Sequence, residues 1–262
     1  MLCLMRTPRP DLTTRSPALL QGRRRCFFMD SKGLVVSSRT DLQHHKAPFA
    51  HDLPPCASLL EAVRRLRPTA LVGVSTSAGA FSAEVLAAMA AANARPIVFP
   101  LSNPTSQAEC TFEEAYDATG GRVLFASGSP FPPLRRGGAT HAPSQANNAY
   151  VFPAIGHAAV LCSCSSITDA VFLAAADALA TATSAEEAAA GLLFPRFSRI
   201  KAVSAHLIGV LAAGMCAAGL GAAPPDFGAT LAGMGVAPGA AEAAKWEAYA
   251  RARMFGAAAP RL

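Results

Sequence analysis

The sequence predicts an α/β protein built on a buried parallel sheet, and three features carry that expectation. Apolar runs at 70–74, 97–101 and 123–126 are short and charge-free, the composition of strands covered on both faces. Between the first two lies a helix-forming stretch that Ser82 can cap, giving a strand–helix–strand crossover. Each run then opens into small polar residues, and in open α/β sheets ligands bind at the carboxyl ends of strands. At 262 residues, 52% hydrophobic and 15% charged, the chain is globular and long enough for one large domain or two small ones.

Residues 1–25 hold six arginines against Asp11, with Pro, Ser and Thr and no hydrophobic period. They are expected to be an unstructured leader outside the fold, either the remnant of an organelle transit peptide or a gene-model artefact. Compartment is therefore open between cytosol and plastid or mitochondrion. Because most of the net charge of +6 sits there, the rest of the chain lacks the distributed basic face of a nucleic-acid binder, and no nucleic acid is expected as a partner.

The run 27–30 stops at Asp30, before Ser31, Lys32 and Gly33. A strand ending in an acid is how nucleotide-binding folds place a group near an adenosine ribose, and it is equally an ordinary strand and turn. Residues 40–58 read as loop around Pro48, Pro54 and Pro55; from Ser58 a helical stripe of Leu59, Ala62, Val63 and Leu66 runs to Pro68. The strand at 70–74 enters Gly73-Val74-Ser75-Thr76-Ser77, whose small side chains let a ligand approach the backbone, although the spacing matches neither GxGxxG nor a P-loop.

The strand at 97–101 ends in Ser102, Asn103 and Pro104, where Asn103 is either an Asx-turn residue or a carboxamide facing a crevice. Thr111 and Glu114 form a capping box, Gly120-Gly121 closes that helix, and 123–126 opens into Ser127-Gly128-Ser129. Residues 135–140 read as a surface hairpin or loop. Asn147 and Asn148 then offer uncharged donors and acceptors that suit a carboxylate or a nicotinamide amide, or else cap a turn. Beyond them the chain reads as helical: 169–182, a second capping box at Ser184–Glu187, a buried apolar segment from 202 to 225, and an alanine-rich end with Trp246 and Tyr249. The 202–225 segment has four glycines, Ser204, His206 and a double proline, so it reads as a buried helix and no membrane partner is expected.

Seven cysteines without a CxxC pair point to a reducing compartment, and the six histidines show no metal-ligand spacing; His157 and His206 read as packing residues. No acid–base pair and no GxSxG elbow appear, so neither a catalytic nor a metal-binding residue is assigned in this chain.

The segments MDSKGLVV, APFAHD, LRPTALVGVSTSAGAFS, RPIVFPLSNPTSQAECTFEEAY, GRVLFASGSPF, QANNAYVFP and SITDAVFLAAADALA, in that order, resemble the carboxyl-terminal half of malic enzymes over residues 26–262. The resemblance implies a Rossmann-like NAD(P)-binding domain at 26–223, its parallel sheet incomplete on the amino-terminal side, and a helical tail at 224–262. It implies oxidative decarboxylation of malate to pyruvate and carbon dioxide, with NADP (NAD being the other possibility) and, in full-length members, Mg2+ or Mn2+ and assembly as dimers or tetramers. Asn103 and one or both of Asn147 and Asn148 are then expected to contact malate or the nicotinamide. Asp30, Ser31, Lys32 and Lys46 match the adenosine end in the pattern of NADP-preferring members, and Val74, Ser75, Thr76, Ser77, Leu101, Ser102 and Gly128 match the lining of the cofactor cleft.

The family's proton-shuttling tyrosine and lysine, metal carboxylates, malate-binding arginine and glycine-rich turn belong to a preceding half that this sequence does not hold. The chain is therefore expected to be a fragment, inactive alone; the competing reading is a catalytically inactive nucleotide-binding or oligomer-interface module. Ala146 and Ala154 stand where the family has glycine, so backbone strain is expected there if those glycines hold positive φ.

Overall fold

In the computed structural model, which describes residues 2–5 and 18–254, the chain divides into two units between Ala146 and Asn147. The first unit runs β1 (Leu2–Met5), α1 (Ala18–Arg25), β2 (Cys26–Asp30), β3 (Gly33–Leu34), α2 (Leu59–Leu66), β4 (Ala70–Gly73), α3 (Ala83–Ala92), β5 (Ile97–Pro100), α4 (Phe112–Ala118), β6 (Leu124–Ser127), the hairpin β7 (Leu134–Arg136) and β8 (Ala139–His141), and β9 (Ser144–Gln145).

Seven of these strands form one sheet in the order β3-β2-β1-β4-β5-β6-β9. From β4 to β9 every pairing is parallel, as the charge-free runs predict, and the sheet is mixed only at its amino-terminal side. Leu4, Leu71, Leu86, Met89 and Val98 are fully buried in the core of this unit. The helices start where their caps dictate. The Ser58 hydroxyl accepts from the Glu61 amide at 3.2 Å, and in α4 the Thr111 amide donates to the Glu114 carboxylate at 2.8 Å while the Glu114 amide donates back to the Thr111 hydroxyl at 3.2 Å. Thr111→Ala removes one arm of that box and is expected to lower stability by about 1 kcal/mol, read as a lower urea midpoint at unchanged slope.

The expected leader is corrected at its described residues. Leu2–Met5 is a strand in the middle of the sheet, antiparallel to both β2 and β4, with Leu4 opposite Phe27 on one side and Leu71 on the other. Residues 18–25 are helical. Averaging over 25 residues hid these pieces: the short apolar run Leu2–Met5 has the length and composition of a buried strand, which the arginine and proline content around it masked. Residues 6–17 lie outside the described residues. The break between the two compact units falls at Ala146, inside the expected NAD(P)-binding domain, and the carboxyl-terminal helices share one core with the helices before them.

The second unit comprises α5 (Phe152–Leu161), α6 (Asp169–Thr181), α7 (Ala185–Ala189), α8 (Ile200–Ala217), α9 (Phe227–Gly233) and α10 (Glu242–Arg253). Its centre is α8, which contacts α5, α6 and α10. Gly209 permits the close crossing of α10, since a Cβ there would lie 2.4 Å from the Ala243 carbonyl oxygen. Trp246, Tyr249, Leu207, Ile208 and Leu211 fill the core, with the Phe227 ring tilted against Trp246 at a centroid distance of 4.3 Å. The stretch Phe197–Ala217 is long and apolar enough by composition to cross a membrane, and half of its best window is buried in this unit. The strain expected at Ala146 and Ala154 is absent: the left-handed non-glycine residues among those described are Arg67, Thr76 and Ser163.

Candidate active site

The carboxyl ends of β4, β5 and β6 lie side by side, because three consecutive parallel strands must end at the same edge. Their loops are tied together by a residue that sequence reasoning missed. Glu109 is fully buried, and its Oε1 accepts from the Ser75 amide at 3.0 Å, the Ser75 hydroxyl at 3.0 Å and the Ser102 hydroxyl at 2.6 Å. The Ser102 hydroxyl in turn accepts from the Thr76 amide at 2.8 Å. That contact holds Thr76 at φ 52°, a left-handed conformation costly for a β-branched residue. Room for the carboxylate comes from Gly73, where a Cβ would lie 2.3 Å from the Glu109 carboxyl carbon. The signal was an acid flanked by the small residues Ala108 and Cys110; its partners in three dimensions had no sequence signature.

Between the β5 and β6 loops the approach is equally close. A Cβ on Gly128 would lie 2.4 Å from the Leu101 carbonyl oxygen and 2.8 Å from either amide atom of Asn103. The Asn103 carboxamide donates to Leu101 O at 3.3 Å and accepts from the Ser129 hydroxyl, while Gln145 donates to Gly128 O at 3.2 Å. Val74, Thr76, Ser77 and Asn103 are exposed at this edge, and Ser102 and Gly128 are buried beneath it.

At the end of β2, Asp30 is the hub of a charged cluster. Its carboxylate accepts from the Lys32 amide at 3.0 Å, from the Lys46 ammonium at 2.7 Å and from the Arg39 guanidinium at 2.9 and 3.3 Å. Arg39 also donates to Gly33 O at 3.4 Å and binds Asp41 through two bonds of 3.0 and 3.1 Å, so all five of its N–H groups are engaged. The exposed Lys32 ammonium lies 2.7 Å from the same Asp41 carboxylate. Ser31 is exposed beside them. Three cations thus meet two anions, Arg39 and Asp41 being additions to the predicted set. A basic residue a few positions beyond a strand-end acid was the signal available for Arg39.

Burial raises the Asp30 carboxyl, but the hydrogen bonds from Arg39 and Lys46 outweigh it and hold the group far below the ordinary carboxylate range. Its folded pKa being depressed, the stability these bonds contribute is present above about pH 4, the unfolded value, and is lost as pH falls through the depressed one.

In the second unit, the Asn147 side chain accepts from the Ala149 amide at 2.9 Å and caps the one-turn helix Asn148–Tyr150, while Asn148 is exposed. Cavities occur away from the strand ends: a groove of about 420 Å³ lined by Arg64, Arg67, Glu84 and alanines of α3, and an apolar one of about 200 Å³ between α6 and α8. Neither includes a predicted site residue. Among the described residues no group of three or more His, Cys, Asp or Glu is placed to hold a metal ion, so these residues do not fit Mg2+ or Mn2+.

Residues 11–215 match the family model described as malic enzyme, NAD binding domain. The NADP-dependent malic enzyme of Vitis vinifera is 48% identical over 192 residues, covering 73% of this chain and 32% of that protein. The chloroplastic NADP-dependent malic enzyme of Solanum lycopersicum is 46% identical over 195 residues, covering 74% of this chain and 34% of its own length. Among solved structures, the malic enzyme of Entamoeba histolytica superposes with a TM-score of 0.59 at 21% identity over 88% of this chain and 49% of that one, a likeness of fold. The chain spans about a third of the length of the curated relatives it matches.

Proposed function

The chain belongs to the malic enzyme family, matched through its NAD-binding domain, and from that premise we propose that it binds NADP at the carboxyl edge of its sheet. The observation that carries the preference for NADP over NAD is the cluster at the end of β2, where Arg39, Lys46 and Lys32 converge on Asp30 and Asp41. A bare ribose has no need of three cations, whereas a 2′-phosphate matches the bidentate fork of an arginine and the point charge of a lysine. In this reading Asp30, Ser31, Lys32 and Lys46, with Arg39, receive the adenosine end, and Val74, Ser75, Thr76, Ser77, Leu101, Ser102 and Gly128 line the path of the dinucleotide.

The substrate reading is oxidative decarboxylation of malate to pyruvate, carried out by the whole family protein. Asn103 in the first unit and Asn147 and Asn148 in the second are each proposed as malate- or nicotinamide-facing carboxamides. All three are uncharged, and the exposure of Asn103 and Asn148 supports the role. This polypeptide by itself is proposed to bind cofactor without turning over malate. Homo-oligomeric assembly as a dimer or tetramer belongs to the same proposal, supported by the exposed Phe152, Val160 and Leu173 of the second unit.

Two measurements on the 262-residue chain test this. Titration with NADPH and with NADH, followed by nicotinamide fluorescence, is expected to give binding of both with NADPH at least tenfold tighter; equal affinity removes the NADP assignment. Malate-dependent NADPH formation with Mg2+ or Mn2+ is expected to be at background, and turnover at the rate of a full-length family enzyme overturns the inactive-alone reading.

A further inference from the structure

We infer that Asp41 is an internal competitor of the cofactor, its carboxylate occupying the position that an incoming 2′-phosphate takes on Arg39 and Lys32. The inference rests on the cofactor reading above and adds to it a residue that weakens binding. No N–H of Arg39 is left for a ligand, three being turned to Asp30 and Gly33 and two to Asp41. A phosphate can therefore gain the guanidinium only by exchange.

Burial decides which partner yields. Asp30 is 11% exposed and is held by Lys46 and the Lys32 amide as well, so it has four donors to lose. Asp41 is 37% exposed and touches only the two cations a phosphate would seek, Arg39 at 3.0 Å and Lys32 at 2.7 Å. Its two oxygens span the Nε and Nη2 edge of the guanidinium in the geometry that phosphate oxygens share. Displaced into solvent, Asp41 recovers its hydration at little cost. Arg39 and Lys32 are then kept neutralised and ordered without ligand, and a cofactor lacking the 2′-phosphate gains nothing by the exchange.

The test is a gain of affinity, which damage to the fold cannot imitate. Asp41→Asn is expected to bind NADPH about fivefold more tightly than the natural chain at low ionic strength, with NADH affinity unchanged and the gain shrinking as salt is added. Asp41→Ala is expected to move the same way, and Asp41→Glu to stay close to the natural chain. Unchanged or weaker NADPH binding by Asp41→Asn, or an equal gain for NADH, overturns the inference while leaving the cofactor site in place. Failure of the natural chain and all variants to bind either nucleotide overturns the cofactor reading, and this inference with it.

Discussion

Arg39→Ala is expected to weaken NADPH binding by about 100-fold while moving NADH by less than threefold. The size follows from two charge-assisted hydrogen bonds to a phosphate, together about 2–3 kcal/mol, where 1.4 kcal/mol is a factor of ten. Specificity for the phosphorylated cofactor follows because the Arg39 guanidinium is directed to anions at the strand end, and NADH brings no 2′-phosphate to that position. The substitution also strips Asp30 of its largest favourable partner, leaving Lys46 at 2.7 Å and the Lys32 amide. The Asp30 carboxyl should then titrate closer to its ordinary value, so the variant is expected to start less stable at neutral pH and to lose less stability than the natural chain as the pH falls below about 4. Both effects are measurable on the same sample: nucleotide titration at neutral pH, and urea unfolding repeated between pH 7 and pH 3. A loss of NADH affinity as large as that of NADPH would show that Arg39 serves the fold and not the phosphate.

What could be read in advance divides along physical lines. The strands β4, β5 and β6 were legible because a strand buried on both faces must be short, apolar and charge-free, and β2 because it stops at an acid. The capping boxes at Thr111 and Ser184 were legible because their partners lie three residues away. By contrast β1 was hidden in an arginine-rich stretch, and β9 is two residues of serine and glutamine with no pattern to detect. The division of the chain at Ala146 was illegible for a related reason: the helices that close the second core carry no boundary signal, only alanine. Within the candidate site, the residues at strand ends could be named from the strands themselves. Arg39, Asp41 and Glu109 could not, because their roles depend on contacts made across loops: Glu109 meets Ser75 at a separation of 34 residues. Asn147 shows the opposite limit, since its side chain is engaged with the Ala149 amide, the turn-capping alternative that its residue type always allowed.

Glu109→Ala is expected to cost about 3 kcal/mol of stability and to disorder the loops after β4 and β5. Truncation leaves the half-buried Ser75 amide and hydroxyl and the buried Ser102 hydroxyl without their acceptor, and a buried donor so orphaned costs about 1–3 kcal/mol. The hydroxyls can rotate to other acceptors, which holds the total near the lower end, but the Ser75 amide cannot turn. A second consequence is steric relief. With the carboxylate gone, the space that now requires glycine at 73 is open, so Gly73→Ala, which on its own drives a Cβ to 2.3 Å from the Glu109 carboxyl carbon, should be better tolerated in the double variant than in the single one. The cycle of Gly73→Ala, Glu109→Ala and their combination, measured by urea unfolding, is thus expected to show strong positive coupling. Additive losses would mean that the two residues do not share that space, and that the strand-end loops are held by some other contact.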